Sequence, residues 1–302
     1  MNYNLITILG PTAVGKTRLA SMLAKRFAGE IISADSRQVY CGMDIGTGKD
    51  LDDYVVEGEK ISHHLINVIN PNEEFNLFLF SKLFYQAFNE ISSRKKIPFF
   101  VGGTGLYLHS VLKNYNLNKV KFDKNRTDEL EKYSIEELTN HLKEINSVLH
   151  NTTDLLVKER IIRAILVAEN DNQLNNSEKT EINSLTIGIK LEREEIKKRI
   201  TARLKHRLQN GMIDEVKQLI KNGITFERLE LFGLEYKFVG RYLKGELSYN
   251  DMFQKLNSSI HGFAKRQMTW YRKMEREGIE IHWIEAQNFN AAEELIMNKY
   301  FS

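Results

Sequence analysis

The chain has 302 residues, 42% of them hydrophobic, and a net charge of only +3 from 43 basic and 40 acidic side chains. Such a chain buries a large core and holds either one large domain with an insertion or two domains. Cys41 is the single cysteine, which excludes an intrachain disulfide and a thiolate metal cluster. The longest apolar stretches, such as Ile97 to Val101, have the length of a strand, and the N-terminus lacks an export pattern. We therefore expect a soluble, globular, cytoplasmic protein.

Strand and helix patterns alternate along the first third of the chain. The segments that show them are, in chain order, Ile6 to Leu9 (strand), Lys16 to Phe27 (helix), Glu30 to Ala34 (strand), Leu77 to Ser92 (helix), Ile97 to Val101 (strand) and Gly105 to Leu112 (helix). This alternation predicts an α/β fold, a parallel sheet flanked by helices. Ligands of such sheets bind at the carboxyl ends of the strands, where three motifs fall: GPTAVGKT, DSRQVY and VGGTGLY.

The first motif has the Gly-x-x-x-x-Gly-Lys-Thr spacing of a phosphate loop. It comprises Gly10, Pro11, Thr12, Ala13, Val14, Gly15, Lys16 and Thr17. In such a loop, backbone N–H groups and the N-terminus of the following helix hold anionic oxygens. Lys16 adds a positive charge, and the Thr17 hydroxyl commonly binds Mg²⁺ shared with the phosphates. The motif predicts a P-loop NTPase-like sheet with Mg²⁺ as cofactor, and it leaves open whether the ligand is a nucleotide such as ATP or another diphosphate.

Polar residues follow the second and third predicted strands. Asp35 has three alternative roles: a carboxylate behind Mg²⁺, a cap for the next segment, or a general base. Thr104 comes after the glycine pair Gly102 and Gly103. It either caps the helix that begins at Gly105 or contacts the ligand, and the two roles are compatible.

A helical block follows the third predicted strand and its helix. Ser134 and Glu137 form a Ser-x-x-Glu capping box, which predicts a helix that ends near Ile145. A second helix is expected to begin near Asp154. The polar segment Asn170 to Ser184 has the composition of a surface loop.

The strand pattern returns at Leu185 to Leu191, and the remainder of the chain is mostly helical and basic. This strand is predicted to rejoin the sheet. We therefore predict a discontinuous phosphate-loop core, residues 1–115 and 184–302, and a small helical insertion domain, residues 116–183.

Six motifs occur in an order and spacing that resemble the bacterial tRNA dimethylallyltransferases, also called tRNA isopentenyltransferases: GPTAVGKT, DSRQVY, MDIGTGK, VGGTGLY, RIIRAI and AKRQMTWYRK. The resemblance spans nearly the full chain. It implies transfer of a dimethylallyl group from dimethylallyl diphosphate to N6 of the adenosine directly 3′ of the anticodon, in tRNAs that read codons beginning with U, with release of diphosphate. The implied partners are the donor and the tRNA anticodon stem-loop, and we expect a monomer that needs no membrane.

The same resemblance implies roles for individual residues. Asp35 takes the proton from N6, Lys16 and Thr104 act beside it, and Ser36, Arg37 and Gln38 lie against the extruded base. Because the base must leave its stack to reach a buried site, a target in a single-stranded loop is favoured. Further tRNA contacts are implied for a set on both sides of the insertion: Arg126, Glu159, Arg160, Ile161, Ile162 and Arg163.

The chain departs from the family pattern in two places. Many members have Gly-Tyr-Arg where this chain has Gly233, Leu234 and Glu235, and the family's arginine assists at the diphosphate. Glu235 is unable to do this. We expect either that Lys16 carries more of the positive charge at the diphosphate or that a nearby cation replaces the arginine: Arg228, Lys237 or Arg241. A family glutamine in the insertion is also replaced, by Glu159.

Two basic stretches, Arg193 to Arg207 and Lys265 to Lys273, fit an amphipathic helix on the core and contact with an RNA backbone equally well. Trp270, within the second stretch, is expected to pack in the core. The main alternative function is an ATP-dependent kinase of a nucleoside or small metabolite, with Asp35 as the base for a hydroxyl. The helical insertion and the absence of an evident arginine-rich lid argue against it. A non-catalytic RNA-binding module would not need a phosphate loop directed at the crevice of Asp35.

Overall fold

The computed structural model describes residues 3–115, 124–145, 157–170 and 180–302. The chain forms two compact units, Met1–Tyr115 with Thr180–Ser302, and Asn116–Lys179. Thr180 to Asn183 belong to the first unit, whereas the sequence groups them with the insertion. The reason is packing: Ile182 is buried in the core of the first unit, and the Asn183 backbone N–H donates to Asn4 Oδ1 over 2.9 Å.

A six-stranded parallel sheet forms the centre of the first unit. The strands are, in chain order, β1 Leu5–Leu9, β2 Gly29–Ala34, β3 Val55–Val56, β4 Glu59–Lys60, β5 His63–His64, β6 Ile97–Gly102, β7 Ser184–Lys190 and β8 His282–Glu285. Their order in the sheet is β5, β2, β6, β1, β7, β8, while β3 and β4 pair as a separate antiparallel ribbon. The predicted parallel sheet is confirmed, and β7 rejoins it beside β1.

Helices make up most of the remaining described residues. They are α1 Lys16–Arg26, α2 Leu77–Ser93, α3 Gly105–Leu112, α4 Lys124–Leu130, α5 Ile135–Ile145, α6 Lys158–Asn170, α7 Arg193–Gln209, α8 Met212–Lys221, α9 Phe226–Leu231, α10 Leu234–Leu243, α11 Tyr249–Arg276 and α12 Phe289–Lys299. Among the described helices, none combines the length and apolar character that a bilayer crossing requires.

The second unit contains α4, α5 and α6. The predicted capping box is confirmed: Glu137 N donates to Ser134 Oγ over 3.2 Å, and Ser134 N donates to Glu137 Oε2 over 2.8 Å. The predicted helix start near Asp154 lies outside the described residues, as does most of the predicted loop after Asn170. Apolar residues from all three helices form the core of this unit: Leu130, Leu138, Leu142, Ile161, Ile162, Ile165 and Leu166.

Side chains that alternate along β1 pack against different layers of helices. Ile6 and Ile8 pack with the apolar faces of α1 and α12, and Leu5 and Leu9 pack with those of α2, α3 and α11. A third apolar cluster contains side chains from all five helices α7, α8, α9, α10 and α11. It also includes Val39 and Met43, which lie beyond the end of β2. Both faces of the sheet are covered, so ligands approach at the ends of its strands.

The buried carboxylate of Glu30, in β2, pairs with three partly exposed side chains near one edge of the sheet. Its carboxylate lies 2.8 Å from His64 Nε2, 2.8 Å from Arg94 and 3.0 Å from Lys96. Burial by itself raises the pKa of Glu30, but the hydrogen bonds from His64, Lys96 and Arg94 outweigh it and lower the pKa from 4.5 to about 2. The ionised form therefore stabilises the fold above the unfolded-state pKa, and this contribution is lost as the pH falls toward 2.

We expect the Glu30→Gln substitution to lower the free energy of unfolding near neutral pH by about 3 kcal/mol. The Tm of the variant should fall accordingly. The difference from wild type should shrink between about pH 5 and pH 3, because the wild-type protein loses this contribution there. Calorimetric Tm measurements across this range test the expectation. Glu194→Gln is the matched control, since the Glu194 side chain is 74% exposed where it pairs with Lys197. A Tm difference for Glu30→Gln that is constant with pH would contradict the assignment.

Candidate active site

The carboxyl ends of three neighbouring strands bring the three sequence motifs together. In the sheet, Leu9 of β1 and Ala34 of β2 both pair with Gly102 of β6. The phosphate-loop motif begins directly after β1, Asp35 directly after β2, and Thr104 two residues after β6. A backbone hydrogen bond of 3.1 Å from Thr104 N to Ala34 O joins the last two segments. The sequence-based prediction of one shared edge is therefore confirmed.

The phosphate-loop motif forms a tight turn between β1 and α1. Ala13 (φ 68°) and Gly15 (φ 85°) adopt left-handed backbone conformations. Gly10 lies so close to β7 that a Cβ there would meet the Ile189 carbonyl oxygen at 2.7 Å. Helix α1 begins at Lys16, and no side chain caps it. Its first N–H groups are thus open to an anion.

Within this loop, the Lys16 ammonium donates to the Pro11 carbonyl over 2.7 Å, and Val14 is buried against the core. Thr17 is half-buried at the second position of α1. Side chains from two helices outside the motif also hydrogen-bond to the loop. Gln267 and Tyr271, on α11, both bond its backbone, and the Arg203 guanidinium, on α7, donates to the Thr12 hydroxyl.

Asp35 is held by its own neighbours at the end of β2. Arg37 N donates to Asp35 Oδ1 over 2.8 Å, and Ser36 N donates to Thr104 Oγ1 over 3.1 Å. Thr104 occupies the N-cap position of α3, but its side chain makes no capping bond. Of the two roles that the sequence left open for this hydroxyl, side-chain capping of α3 is therefore wrong. Its bond instead fixes the segment that carries Asp35.

Gln38 is positioned by the MDIGTGK loop, residues 43–49. Its amide Nε2 donates to the Gly48 carbonyl over 3.0 Å, and the Ser33 hydroxyl donates to its Oε1 over 3.3 Å. The loop is pinned in turn by Glu215 of α8, whose carboxylate accepts three backbone N–H groups, those of Asp44, Ile45 and Gly46 at 2.7, 2.7 and 3.0 Å. The motif thus supports one wall of the site, a role that its sequence pattern alone did not reveal.

Positive charge is concentrated at the phosphate loop. Burial is the main cause that lowers the pKa of Lys16 to about 7; nearby Arg203 lowers it further, and Asp35 raises it. Burial likewise lowers the pKa of Arg203 to about 10, assisted by Arg207 and opposed chiefly by Glu235. Buried like charges around an anion-sized turn gain stability when an anion enters.

Arg203 is a cation that contacts the phosphate loop from outside the motif: its guanidinium donates to the Thr12 hydroxyl. The three candidates from the sequence are engaged elsewhere: Arg228 donates to the carbonyls of Pro71 and Glu73, and Lys237 and Arg241 lie 3.2 and 2.6 Å from Glu230. This corrects the expectation that one of them serves the phosphate loop. Arg203 comes instead from the basic stretch that the sequence assigned equally to packing and to RNA contact.

Glu235 itself is half-buried beside two arginines. Burial raises the pKa of its carboxyl, while Arg207 and Arg203 act in the opposite direction. Arg207 is buried and pairs with Asp50 over 3.5 Å. The acidic side chain at position 235 therefore belongs to a charge network around Arg203.

Trp270 packs its ring against α3 and is half-buried, whereas the sequence placed it in the core. Its Cγ approaches Gly105 so closely that a Cβ at Gly105 would lie 2.5 Å away. The ring also contacts His109 with a centroid separation of 5.8 Å. The exposed residues of the same helix include Lys265 and Arg266.

In the second unit, α6 carries most of the residues expected at tRNA. Glu159, Arg160 and Arg163 are exposed on its surface. Ile161 and Ile162 are fully or almost fully buried in the core of the unit, so we reassign their side chains to packing.

Arg126, at the other side of the insertion, is already paired. Its guanidinium lies 2.5 Å from Glu169 and 2.7 Å from Glu129. The hydrogen bonds that Arg126 donates to these carboxylates raise its pKa, as in a structural ion cluster.

Comparison with known proteins gives a consistent result. The family model described as IPP transferase matches residues 38–274. A tRNA dimethylallyltransferase 1 of Geotalea uraniireducens is 54% identical, over 94% of this chain and 93% of its own length. A tRNA dimethylallyltransferase 1 of Syntrophus aciditrophicus is 50% identical over 97% of both chains. These matches favour a transferase over the kinase alternative.

Solved structures agree with the fold. A tRNA isopentenylpyrophosphate transferase of Bacillus halodurans superimposes with a TM-score of 0.72 at 32% identity, over 99% of this chain and 97% of the other. A eukaryotic dimethylallyltransferase described as acting on tRNA gives a TM-score of 0.79 at 26% identity, over 99% of this chain and 80% of the other. The phosphate loop, the site at the strand ends and these matches together establish that the chain belongs to the IPP transferase family, with the tRNA dimethylallyltransferases of bacteria.

Proposed function

We propose that this protein transfers the dimethylallyl group of dimethylallyl diphosphate to N6 of the adenosine directly 3′ of the anticodon, in tRNAs that read codons beginning with U. The observation that carries the proposal is the close approach of two chemically different groups at one sheet edge. A cationic loop with Lys16 and Arg203 lies at the same strand ends as a carboxylate, Asp35, whose charge raises the pKa of both cations against the effect of burial. Transfer of a group from a diphosphate to a weakly acidic amine needs cations for the departing diphosphate and a carboxylate for the proton of the amine.

On the donor side, the carbon–oxygen bond to the diphosphate breaks and negative charge grows on the departing oxygens. The open N–H groups of the loop, the Lys16 ammonium and the Arg203 guanidinium stabilise this charge more in the transition state than in the ground state. The Lys16 bond to the Pro11 carbonyl keeps the ammonium at the loop until the diphosphate replaces that carbonyl as its partner.

On the acceptor side, the N6 lone pair forms the new carbon–nitrogen bond, and N6 becomes acidic as it does so. Asp35 takes the proton late in this step, when a carboxylate of ordinary basicity suffices. The Arg37 N–H occupies Oδ1 and leaves the other carboxylate oxygen for the amine. Thr104, through its bond to Ser36 N, keeps the Asp35 segment in register with the loop.

Mg²⁺ is the cofactor that we propose for the donor. It binds few protein ligands when it is shared with a diphosphate, and it prefers hard oxygen donors. The Thr17 hydroxyl at the start of α1 fits this requirement, with Asp35 as a nearby carboxylate. No group of three or more His, Cys, Asp or Glu side chains arranged for a metal occurs within the described ranges. When bound, the ion supplies further neutralisation of the diphosphate charge.

For RNA, we propose that the second unit contacts the tRNA through Arg160 and Arg163, which are one turn apart on α6. Glu159 lies beside them, and Ser36, Arg37 and Gln38 surround the extruded adenine. A base in the single-stranded anticodon loop reaches the site without breaking a duplex. We further propose that the protein acts as a cytoplasmic monomer.

The proposal is tested with purified protein, Mg²⁺, dimethylallyl diphosphate and an RNA of the anticodon stem-loop. We expect mass spectrometry of the digested RNA to show one adenosine heavier by an isoprenoid unit. Phosphorylation of a nucleoside with ATP, and no prenylated adenosine, would support the kinase alternative instead. Nucleoside mass spectrometry of tRNA from cells that lack the protein provides the corresponding test in vivo.

Lys16 predicts how donor binding depends on pH. Because its pKa is about 7 in the free protein, the ammonium is lost as the pH rises above that value. We expect the Kd for inorganic pyrophosphate with Mg²⁺ to rise severalfold between about pH 7 and 9, since binding must then return the proton. In Lys16→Gln the Kd should be higher at neutral pH and nearly constant over the same range. Equal pH dependence in both proteins would contradict this role.

A further inference from the structure

One face of α11 bonds the backbone of two segments at the site, the phosphate loop and the segment that precedes Thr104. Gln267 and Tyr271 are one turn apart, and both are buried. The Gln267 amide bridges two segments: Thr12 N donates to its Oε1 over 2.8 Å, and its Nε2 donates to the Gly103 carbonyl over 2.8 Å. Tyr271 donates to the Gly10 carbonyl over 2.8 Å. The helix thus contacts both the phosphate loop and the segment before Thr104.

The bridge at Gln267 is closely fitted. A Cβ at Gly103 would lie 2.2 Å from Gln267 Nε2, so the glycine is required for the amide to reach both loops. A carboxamide has an acceptor end and a donor end a fixed distance apart, and here each end has one loop as its partner. Its geometry therefore sets the separation between Thr12 N and the Gly103 carbonyl.

This arrangement also determines where Thr12 points. Its N–H donates to Gln267, and its hydroxyl accepts from Arg203. Thr12 leads directly into Ala13 and Gly15, whose left-handed backbone conformations shape the rest of the turn. A change at Gln267 is therefore transmitted to the anion-binding part of the loop.

We propose that Gln267 is a positioning residue for the reaction: it holds the phosphate loop in its anion-binding conformation and at a set distance from Thr104. The inference rests on the proposed diphosphate site and adds to it a residue outside the phosphate-loop motif. Gln267 bonds protein backbone with both ends of its amide. It acts through Thr12 and Gly103, and its loss should change diphosphate affinity more than RNA affinity.

The test compares Gln267→Met, which keeps the volume and removes both hydrogen bonds, with Gln267→Glu, which replaces the donor end with a second acceptor. Inorganic pyrophosphate with Mg²⁺ is the probe. We expect its Kd to rise about tenfold in Gln267→Met and further in Gln267→Glu. The Kd for the anticodon stem-loop RNA should stay within about twofold of wild type. Steady-state kinetics should show a raised KM for dimethylallyl diphosphate.

Three further variants make the result specific. Gln254 is exposed on the same helix, so Gln254→Met and Gln254→Glu should leave the Kd for pyrophosphate unchanged. In Gly103→Ala the new Cβ would displace the Gln267 amide from the Gly103 carbonyl, so this variant should reproduce the effect of Gln267→Met. It also replaces Gln267→Met as the test if that variant fails to fold. Combining the two should add little, because both break the same bridge.

Two results would overturn the inference: a Kd for pyrophosphate within about twofold of wild type in Gln267→Met, or equal losses of pyrophosphate and RNA affinity, which indicate general loosening. Failure of the proposed function has a different signature. In that case the wild-type protein itself binds no pyrophosphate or transfers no isoprenoid group, whatever the variants do.

Discussion

Replacing Asp35 by asparagine is expected to lower kcat for isoprenoid transfer by about 10²-fold to 10⁴-fold, because the amide is unable to accept the proton that N6 releases. The size and the backbone contacts of the side chain are retained, since asparagine also has an oxygen for the Arg37 N–H. Binding of the anticodon stem-loop RNA and of pyrophosphate should therefore change little. Single-turnover prenylation, followed by mass spectrometry of the RNA, measures the chemical step directly.

Asp52→Asn is the matched control, since Asp52 is an exposed carboxylate in the short 3-10 helix Leu51–Tyr54. It should be as active as wild type. If Asp35→Asn also turns over at the wild-type rate, Asp35 is not the base. A large loss of RNA affinity in Asp35→Asn would show that the carboxylate binds the base and does not transfer its proton.

Arg203→Gln is expected to lower kcat/KM for dimethylallyl diphosphate by about 10²-fold to 10³-fold, because a donor to the departing diphosphate is removed. The Thr12 hydroxyl loses its guanidinium partner in the same change. Lys16 also loses the neighbouring charge that helps to lower its pKa, so the Lys16 pKa should rise. The measurement is initial-rate kinetics with the donor varied at saturating RNA, together with the Kd for pyrophosphate.

The candidates that the sequence suggests for the same task supply the controls. Arg241→Gln removes a cation of equal charge whose guanidinium lies 2.6 Å from Glu230, and it should leave kcat/KM unchanged. Arg228→Gln should affect stability more than catalysis, because Arg228 bonds the carbonyls of Pro71 and Glu73. A loss of activity in Arg241→Gln comparable with that in Arg203→Gln would contradict the assignment of the arginine to α7.

The phosphate loop, Asp35 and Thr104 were predicted together from the sequence because each comes within two residues of the end of a strand. In a parallel sheet, neighbouring strands end at the same edge, so short motifs placed there meet whatever the details of packing. Local signals were equally sufficient for the capping box at Ser134, whose two bonds join residues only three apart. Such features depend on short-range chemistry and on strand order.

Arg203 and Gln267 were not predicted, since their partners lie far away in the chain. Their bonds to Thr12 span 191 and 255 residues, and the basic helices that carry them have several arginine, lysine and glutamine side chains of similar pattern. Which of these turns inward depends on the rotation of each helix about its axis. That rotation is fixed by the joint packing of all the helices and is not specified by the sequence of one.

Ile161 and Ile162 show the converse case, in which residues expected at the tRNA are buried in the core. The motif that contains them resembles a tRNA-contacting segment, but an α-helix directs successive residues to different faces. In the tertiary structure the arginines at positions 160 and 163 are exposed, and the two isoleucines fill the core. The sequence by itself thus determined the α/β fold, the phosphate loop and the family. Only the tertiary structure decided which side chains complete the site, because that depends on the packing of distant helices against the strand ends.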